Sequence, residues 1–347
     1  MACLCYKDTR TSRRTKEGDS AAQSKRSIAA LMKTQGPTLS VQHLDPDHLN
    51  LQPLLDEVAL LFRGNDFERQ NQMLQLRDLM RRNQGLVLKQ GDRVLALLLY
   101  YLKAKTCRLS FAYALADYHP EVVLRHLFQT LISLVIEDRE INSIRCDVVP
   151  WFPQSVASAL SGLGFTRVER MVMRRDLPCP ERAPAFTPGI KLVPWDTWLT
   201  APAAQILHLA FGMGFEGSWD RSLAEIAGCR QFISDCYSGR FGTFDAAISF
   251  ALMQENQWVG MALATWAGEG DGFIPAFGLL PQFCGKGIGQ TMLAQLLKRF
   301  GQATYPPGGV ELAVSVDNTA AVRLYQKFDF RRRSSFEVYF LNISPET

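Results

Sequence analysis

The stretch "LLPQFCGKGIGQTMLAQLLKRF", residues 279–300, joins an apolar run to an amphipathic helix through three glycines on alternate positions. These are Gly285, Gly287 and Gly289. Glycine costs chain entropy and weakens the first turn of a helix, so packing alone is a poor reason for three of them. The pattern therefore predicts a turn whose backbone another group approaches closely.

The segments on either side of this turn read as one α/β unit. "DGFIPAFGLLP" before it has the composition of a strand, and "GVELAVSVD" after the helix predicts a second strand. The helix repeats apolar residues at the spacing of a core-facing helix. Those residues are Ile288, Met292, Leu293, Leu296, Leu297 and Phe300. "NTAAVRLYQKFDF" predicts a further helix with Asn318 as its N-cap.

Two nucleotide-binding motifs fail at this loop. A Walker A loop needs Ser or Thr after Gly-Lys, but Gly287 follows Lys286, and Leu280 stands in the place of the first glycine. A dinucleotide GxGxxG pattern fails because Gln290 and Met292 occupy its last glycine position in the two possible registers. A strand, a glycine turn and a helix N-terminus remain, and their free N–H groups predict an anion site.

The run from Leu279 to Gly289 resembles motif A of the GNAT superfamily of N-acetyltransferases, whose core is Arg/Gln-x-x-Gly-x-Gly/Ala. "NTAAVRLYQKFDF" is similar to motif B of that family, Asn-x-x-Ala-x-x-Leu-Tyr-x-x-x-Gly-Phe. This sequence departs from the motifs at Cys284, where the family has Arg or Gln, and at Asp329, which replaces Gly. The matches to motif B are Asn318, Ala321, Leu324, Tyr325 and Phe330.

The resemblance implies an α/β (α+β) fold of tandem GNAT copies, each a mixed, mostly antiparallel sheet flanked by helices. It also implies acetyl-CoA as co-substrate. The diphosphate would lie on the glycine loop, and the pantetheine would lie in a gap where the strand before the loop splays from "VELAVSV". The residues expected to bind acetyl-CoA are Leu279, Leu280, Cys284, Gly285, Lys286, Gly287, Ile288, Gly289 and Asn318.

Tyr325 matches the position of the family's general acid, which protonates the thiolate leaving group. The general base stays open among Glu269, Asp271, Glu311 and ordered water. The acceptor is expected at "FGMGFEGSWD", where Phe211 adds an apolar wall and Glu216 or Asp220 could attract an amine. The substrate-binding residues predicted there are Phe215, Glu216 and Trp219.

Proline-rich "DLPCPERAPAFTPG" predicts a linker at 178–189 between a segment 38–177 and a catalytic segment 190–347. Residues 1–37 are polar and are expected to form a disordered tail. The first segment repeats the strand and helix order of the second. Its counterpart of the glycine loop, "ADYHPEVVL" at 116–124, has no glycine, so we predict a degenerate copy that does not bind the cofactor.

Composition excludes several other classes of protein. The formal net charge of +4 is too small to argue for nucleic acid, and no apolar run is long enough for a membrane span. The eight cysteines are scattered, which predicts neither a metal site nor a disulfide framework and favours the cytoplasm. The composition leaves a homo-oligomer open.

The sequence therefore predicts an N-acetyltransferase that moves the acetyl group of acetyl-CoA to a primary amine of a small molecule, by direct attack through a tetrahedral intermediate. A protein N-terminus or lysine is the alternative acceptor. A non-catalytic acyl-CoA-binding regulator is the alternative from another class, because Cys284 removes a family contact. A nucleic-acid module would rest only on the basic tail and "RRR" at 331–333.

Overall fold

The computed structural model describes residues 39–62, 66–103, 105–138, 140–148, 154–177, 183–267 and 270–343. The predicted tail, part of the predicted linker and the base candidate Glu269 lie outside these residues. The chain divides into two compact units. The described part of the first unit consists of residues 39–167 and 337–343, and the second unit covers 168–336, with the gaps given.

Short connections join strands and helices along the whole described chain. The strands are β1 (Leu39–His43), β2 (Gln84–Gln90), β3 (Arg93–Lys103), β4 (Thr106–Ala114), β5 (Ser143–Val148), β6 (Thr166–Asp176), β7 (Ile190–Pro194), β8 (Thr243–Phe244), β9 (Phe250–Gln254), β10 (Gln257–Ala267), β11 (Asp271–Leu279), β12 (Gly309–Ser315) and β13 (Arg331–Asn342). The helices are α1 (Gln52–Leu61), α2 (Asp66–Arg82), α3 (Pro120–Glu137), α4 (Gln154–Ser161), α5 (Thr200–Leu207), α6 (Phe215–Trp219), α7 (Arg221–Ala224), α8 (Ile226–Tyr237), α9 (Ile288–Gly301) and α10 (Thr319–Lys327).

The two units have the same strand order. In the first unit, β1 to β5 pair in sequence order, and only the β4–β5 pair is parallel. In the second unit, the order is β7, β9, β10, β11 and β12, and only the β11–β12 pair is parallel. The predicted fold class, a repeated mixed and mostly antiparallel sheet with helices, is confirmed.

The last strand of each repeat is exchanged. β6 follows the helices of the first repeat in sequence, yet its residues 170–176 pair antiparallel with β12 of the second unit. The end of β13, which closes the second repeat in sequence, pairs with β5 of the first unit. The compact units therefore differ from the predicted segments in the placement of these two strands.

Both faces of the second sheet are covered by apolar layers. One layer joins β12 to α9 and α10 and contains Leu312, Met292 and Leu324. The other joins β10 and the end of β11 to α5 and α8 and contains Met261, Leu280 and Ile233. Burial of a leucine or isoleucine side chain contributes about 1.5–3 kcal/mol, so these layers fix the helices on the sheet.

The apolar spacing predicted for α9 is confirmed, since all six residues of that pattern are buried. Among the described residues, no helix has the length and apolar character needed to cross a membrane.

Candidate active site

The two central strands of the second unit part at one position. β11 and β12 pair from Gly272–Val310 to Ile274–Leu312 and make no further ladder pair, although both strands continue. Pro275 follows the last pair and has no backbone N–H to donate. The gap expected from the resemblance is therefore present between the ends of these strands.

A backbone donor points into this gap. The N–H of Leu280 donates to the carbonyl of Val259 at 2.8 Å, and this bond is directed toward β10. Successive residues of a strand direct their N–H groups to opposite edges. Leu280 continues the extended backbone of β11, so Phe277, three residues earlier, directs its N–H away from β10 and toward the gap.

The glycine loop owes its shape to two left-handed residues. Gly285 has φ of 77° and Gly287 has φ of 80°, a region that favours glycine over every other residue. Both are exposed, and a Cβ there would meet no neighbouring atom within 4 Å. Gly289 differs, because it is buried in the first turn of α9. Two of the three glycines thus serve backbone conformation, and the third serves packing.

The loop presents a row of backbone donors to solvent. The first backbone hydrogen bonds of α9 run from the N–H groups of Gln290 and Thr291 to the carbonyl of Gly287, at 3.0 and 3.2 Å. Within the described part of the chain, the N–H groups of residues 285–289 have no protein acceptor. Together with the positive end of the helix dipole, these groups form a site for an anion.

The side chains of the loop add little to this site. The half-buried thiol of Cys284 donates back to the carbonyl of Leu280, with sulfur and oxygen 3.5 Å apart. The ammonium of Lys286 lies 5.5 Å from the ring centroid of Phe283 and is exposed. Anion binding at this loop therefore depends on the backbone, with Lys286 as the nearby positive charge.

Helix α10 begins and ends as its sequence pattern indicates. The side chain of Asn318 is buried and accepts a hydrogen bond from the N–H of Ala321 at 3.2 Å, so it is the N-cap. Asp329 adopts φ of 59°, the left-handed conformation expected where the family has glycine. The N–H of Phe330 then donates to the carbonyl of Tyr325 at 3.1 Å.

Tyr325 is fully buried beside the gap. Its ring makes edge-to-face contacts with Phe277 of β11, at a centroid distance of 6.4 Å, and with Phe330, at 5.8 Å. Phe277 belongs to the part of β11 that lies beyond its last pair with β12. The tyrosine is thus held against the strand whose backbone donor points into the gap.

Two of the three predicted base candidates are bound in an ion network. Asp271 accepts from Nη2 of Arg174 at 3.2 Å and from the N–H of Gly309 at 3.1 Å. Glu311 accepts from Arg174 at 3.3 Å and also from Arg333. The hydrogen bond from Arg174 holds the pKa of Asp271 below its usual value. A carboxylate stabilised in its charged form is a weak proton acceptor, so this network is structural.

The predicted acceptor segment is built on close backbone contacts. A π-helical turn at His208–Gly212 follows α5. A Cβ on Gly217 would lie 1.9 Å from the carbonyl oxygen of Gly212, and a Cβ on Gly212 would lie 2.1 Å from that of Leu223. Only glycine permits these backbones to touch, which explains Gly212 and Gly217, two of the three glycines of "FGMGFEGSWD".

This segment reaches the parting strands. Phe211 is fully buried, and its ring atom Cε2 would lie 2.7 Å from a Cβ on Gly278 of β11. Glu216 and Trp219, both predicted to bind the acceptor, are also buried. The side chain of Phe215 lies outside what the structure describes.

One residue beside this segment was not predicted from the sequence. The guanidinium carbon of Arg170, on β6, lies 5.4 Å from the ring centroid of Trp219, and its Nη2 donates to the carbonyl of Ala313 at 3.0 Å. Arg170 lies in the segment assigned to the first repeat. Only the strand exchange brings it to this site.

The corresponding loop of the first unit has different chemistry. His119, with φ of 49°, precedes α3, and Pro120 occupies the first helical position, where it offers no N–H. The N–H of Ala116 and the hydroxyl of Tyr113 both donate to the carboxylate of Glu57 at 3.0 Å. The row of donors is therefore interrupted in this loop, because Pro120 has no N–H and the N–H of Ala116 is bound to a carboxylate from α1.

The described residues contain no group of three or more His, Cys, Asp or Glu side chains that could hold a metal ion.

Comparison with known proteins agrees with this geometry. Residues 219–330 match the sequence model of the acetyltransferase (GNAT) family. No curated protein matches the chain. A GCN5-related N-acetyltransferase from Sphaerobacter thermophilus has a similar structure, with a TM-score of 0.58 and 16% identity over 89% of this chain and 97% of that one. A tandem GNAT protein from the clavulanic acid biosynthesis pathway has a similar structure, with a TM-score of 0.51 and 15% identity. The match covers 89% of this chain and 100% of that one.

The two solved structures establish a similarity of fold. The family match covers the parting strands, the glycine loop and α10, which are the elements that build the site. Residues 219–330 therefore carry the GNAT domain that the family model describes.

Proposed function

We propose that the second unit transfers the acetyl group of acetyl-CoA to a primary amine of a small molecule. One observation carries the proposal: a gap between β11 and β12 opens beside a loop of backbone donors, and Tyr325 is packed against the gap. Thioester aminolysis needs a cleft for the thioester, a binding site for the charged end of the donor molecule, and a proton donor for the leaving sulfur. These three features supply them.

The loop residues fit the charged end of acetyl-CoA. The N–H groups of residues 285–289 would hold the diphosphate, and Lys286 would add positive charge. The absence of side chains at Gly285 and Gly287 leaves room for the phosphate oxygens. Leu279, Leu280 and Asn318 complete the proposed set, with the end of β11 offering its free edge to the pantetheine amides.

The residues around the gap support direct attack. The neutral amine attacks the thioester carbonyl and forms a C–N bond, while the N–H of Phe277 stabilises the negative charge on the carbonyl oxygen. The C–S bond then breaks, and Tyr325 gives its proton to the leaving sulfur. The ammonium proton of the intermediate leaves through ordered water in this proposal, since Asp271 and Glu311, two of the three candidate bases, are held by arginines, and Tyr325 is reprotonated from solvent.

The first unit, by this proposal, does not bind acetyl-CoA. Pro120 removes a helix N-terminal donor, and Glu57 already occupies the N–H of Ala116. Negative charge from Glu57 would also repel a phosphate. We further propose that the protein acts in the cytoplasm with reduced cysteines, without a nucleic-acid partner.

Two assays test this function. Calorimetry with CoA tests the loop, and release of free thiol from acetyl-CoA in the presence of amines tests turnover. Binding with thiol release supports the acetyltransferase. Binding without thiol release over a broad amine set would favour the acyl-CoA-binding regulator, and the absence of binding would overturn both.

A further inference from the structure

A buried polar layer lies on the face of the second sheet opposite to α9 and α10. Ser315 pairs directly with Arg170 in the β12–β6 register, so the two side chains share a face. Val314, the next residue, belongs to the apolar layer under α9 and α10, which places Ser315 and Arg170 on the other face.

Ser315 has an unusual environment for a strand residue. Its side chain is 0% exposed, and within the described residues its hydroxyl has no hydrogen-bond partner. A buried hydroxyl without a partner costs about 1–3 kcal/mol. Ser315 ends β12 on the portion of that strand that has parted from β11. Because this buried hydroxyl lowers stability and lies beside the gap, we expect a bound ligand to supply its hydrogen-bond partner.

Arg170 pairs with Ser315 across the sheet and contacts Trp219 of the predicted acceptor segment. The side chain is 4% exposed, and the guanidinium lies over the rings of Trp219 and Phe336 at 5.4 and 5.8 Å. Its bond to the carbonyl of Ala313 fixes it on β12, two residues before Ser315. An arginine stacked in this way holds its guanidinium plane in a fixed orientation.

One face of α6 completes the layer. Glu216 and Trp219 lie three residues apart on one side of the helix, and Asp220 follows at its C-cap; the three side chains are 3%, 1% and 5% exposed. Asp220 also accepts a hydrogen bond from the hydroxyl of Ser222. The backbone contact between Gly212 and Gly217 holds this helix in place.

The layer brings buried charges and hydrogen-bonding groups together at one place in the second unit. One guanidinium and two carboxylates give a formal charge of −1, which attracts a cationic amine. Buried ion pairs give little stability over apolar residues of the same volume, so stability does not account for this layer.

We propose that Arg170, Ser315 and the buried face of α6 form the acceptor pocket, and that the pocket selects small hydroxylated amines over alkyl amines. Glu216 and Asp220 attract the ammonium form, and Ser315 and Arg170 hydrogen-bond the hydroxyl groups. This inference rests on the proposed acetyl transfer. It means that a strand from the sequence of the first repeat supplies a specificity residue to the second unit.

Two pairs of amines with matching carbon skeletons test the pocket: serinol with isopropylamine, and 2-aminocyclohexanol with cyclohexylamine. Thiol release from acetyl-CoA gives kcat/KM for each amine. The wild-type protein should prefer the hydroxylated member of each pair by about tenfold or more, the worth of one or two hydrogen bonds. Ser315→Ala should cut this preference about fivefold and leave the Kd for CoA unchanged.

Arg170→Met should cut the same preference, and Arg175→Met is its matched control. Arg175 lies on the same strand and is 3% exposed, but it pairs with Val310 and so belongs to the opposite face. Arg175→Met should keep the preference. If Arg170→Met does not fold, Ser315→Ala decides alone.

Three results would overturn the inference: equal or better use of the alkyl amines, an unchanged preference in Ser315→Ala, or no turnover of any of the four amines by a protein that binds CoA. A wild-type protein that fails to bind CoA would instead overturn the proposed function.

Discussion

The ring of Tyr325 meets the ring of Phe277 edge to face, with centroids 6.4 Å apart and planes inclined at 68°. Phe277 lies on β11 beyond its last pair with β12, so this contact joins α10 to the open edge of the strand. Such aromatic contacts contribute about 0.5–1.5 kcal/mol beyond the area they bury. The contact fixes the position of the proposed acid without using its hydroxyl.

The variant Tyr325→Phe keeps this ring contact and removes the hydroxyl. We expect kcat for acetyl transfer to serinol to fall by about 10²–10⁴, the usual worth of general acid catalysis, with the Kd for CoA unchanged. Tyr339→Phe is the control, because Tyr339 is also buried but donates to Glu337 in the first unit. A full wild-type rate in Tyr325→Phe at every pH would show that the acid has been misassigned.

The left-handed backbone at Gly287 predicts that this position requires glycine. A β-branched residue at φ of 80° is strained by about 1–3 kcal/mol, so Gly287→Val should distort the donors and weaken CoA binding at least about tenfold. Gly301→Ala is the control, since Gly301 lies at the other end of α9 with open space and no positive φ. It should bind CoA normally. Unchanged affinity in both Gly287→Val and Gly285→Ala would mean that the loop does not hold the ligand.

The ion network predicts that the contribution of Asp271 to folding stability depends on pH. Its pKa is lower in the folded than in the unfolded protein, because of the hydrogen bond from Arg174. Its contribution to stability is therefore present above the unfolded pKa of about 3.9 and is lost as the pH falls through the folded pKa. Asp271→Asn should lower the free energy of unfolding by about 1 kcal/mol at pH 7, and the difference should shrink in acid.

Urea unfolding at neutral and acidic pH measures this difference. Asp176→Asn is the matched control, because Asp176 bonds the same arginine but its side chain is 85% exposed and should contribute little. Asp271→Asn should also retain the wild-type pH profile of kcat. A profile whose acidic limb disappears in this variant would restore Asp271 as the base.

The sequence predicted the loop and α10 because both depend on local chemistry. Glycine spacing, an N-cap at Asn318 and a left-handed residue before Phe330 are fixed by contacts within a few residues. The apolar period of α9 is a similar local signal. These features were found where the pattern indicated.

The strand exchange could not be predicted in this way. β6 has the same alternation whether it pairs with β5 or with β12, so nothing local determines its partner. Arg170 consequently had no signal that linked it to Trp219. The ion pairs of Arg174 with Asp271 and Glu311 were missed for the same reason, since both join residues distant in sequence.

The number of CoA molecules bound by the full-length protein tests the central claim most directly. Isothermal titration of the wild-type chain should give one site, because the row of N–H donors is continuous over residues 285–289, while Pro120 and Glu57 interrupt the row in the first unit. Gly287→Val should remove or strongly weaken that site, and Pro120→Ala should leave it unchanged. Two sites in the wild-type protein, or one site that survives Gly287→Val at full affinity, would contradict the assignment of cofactor binding to residues 285–289.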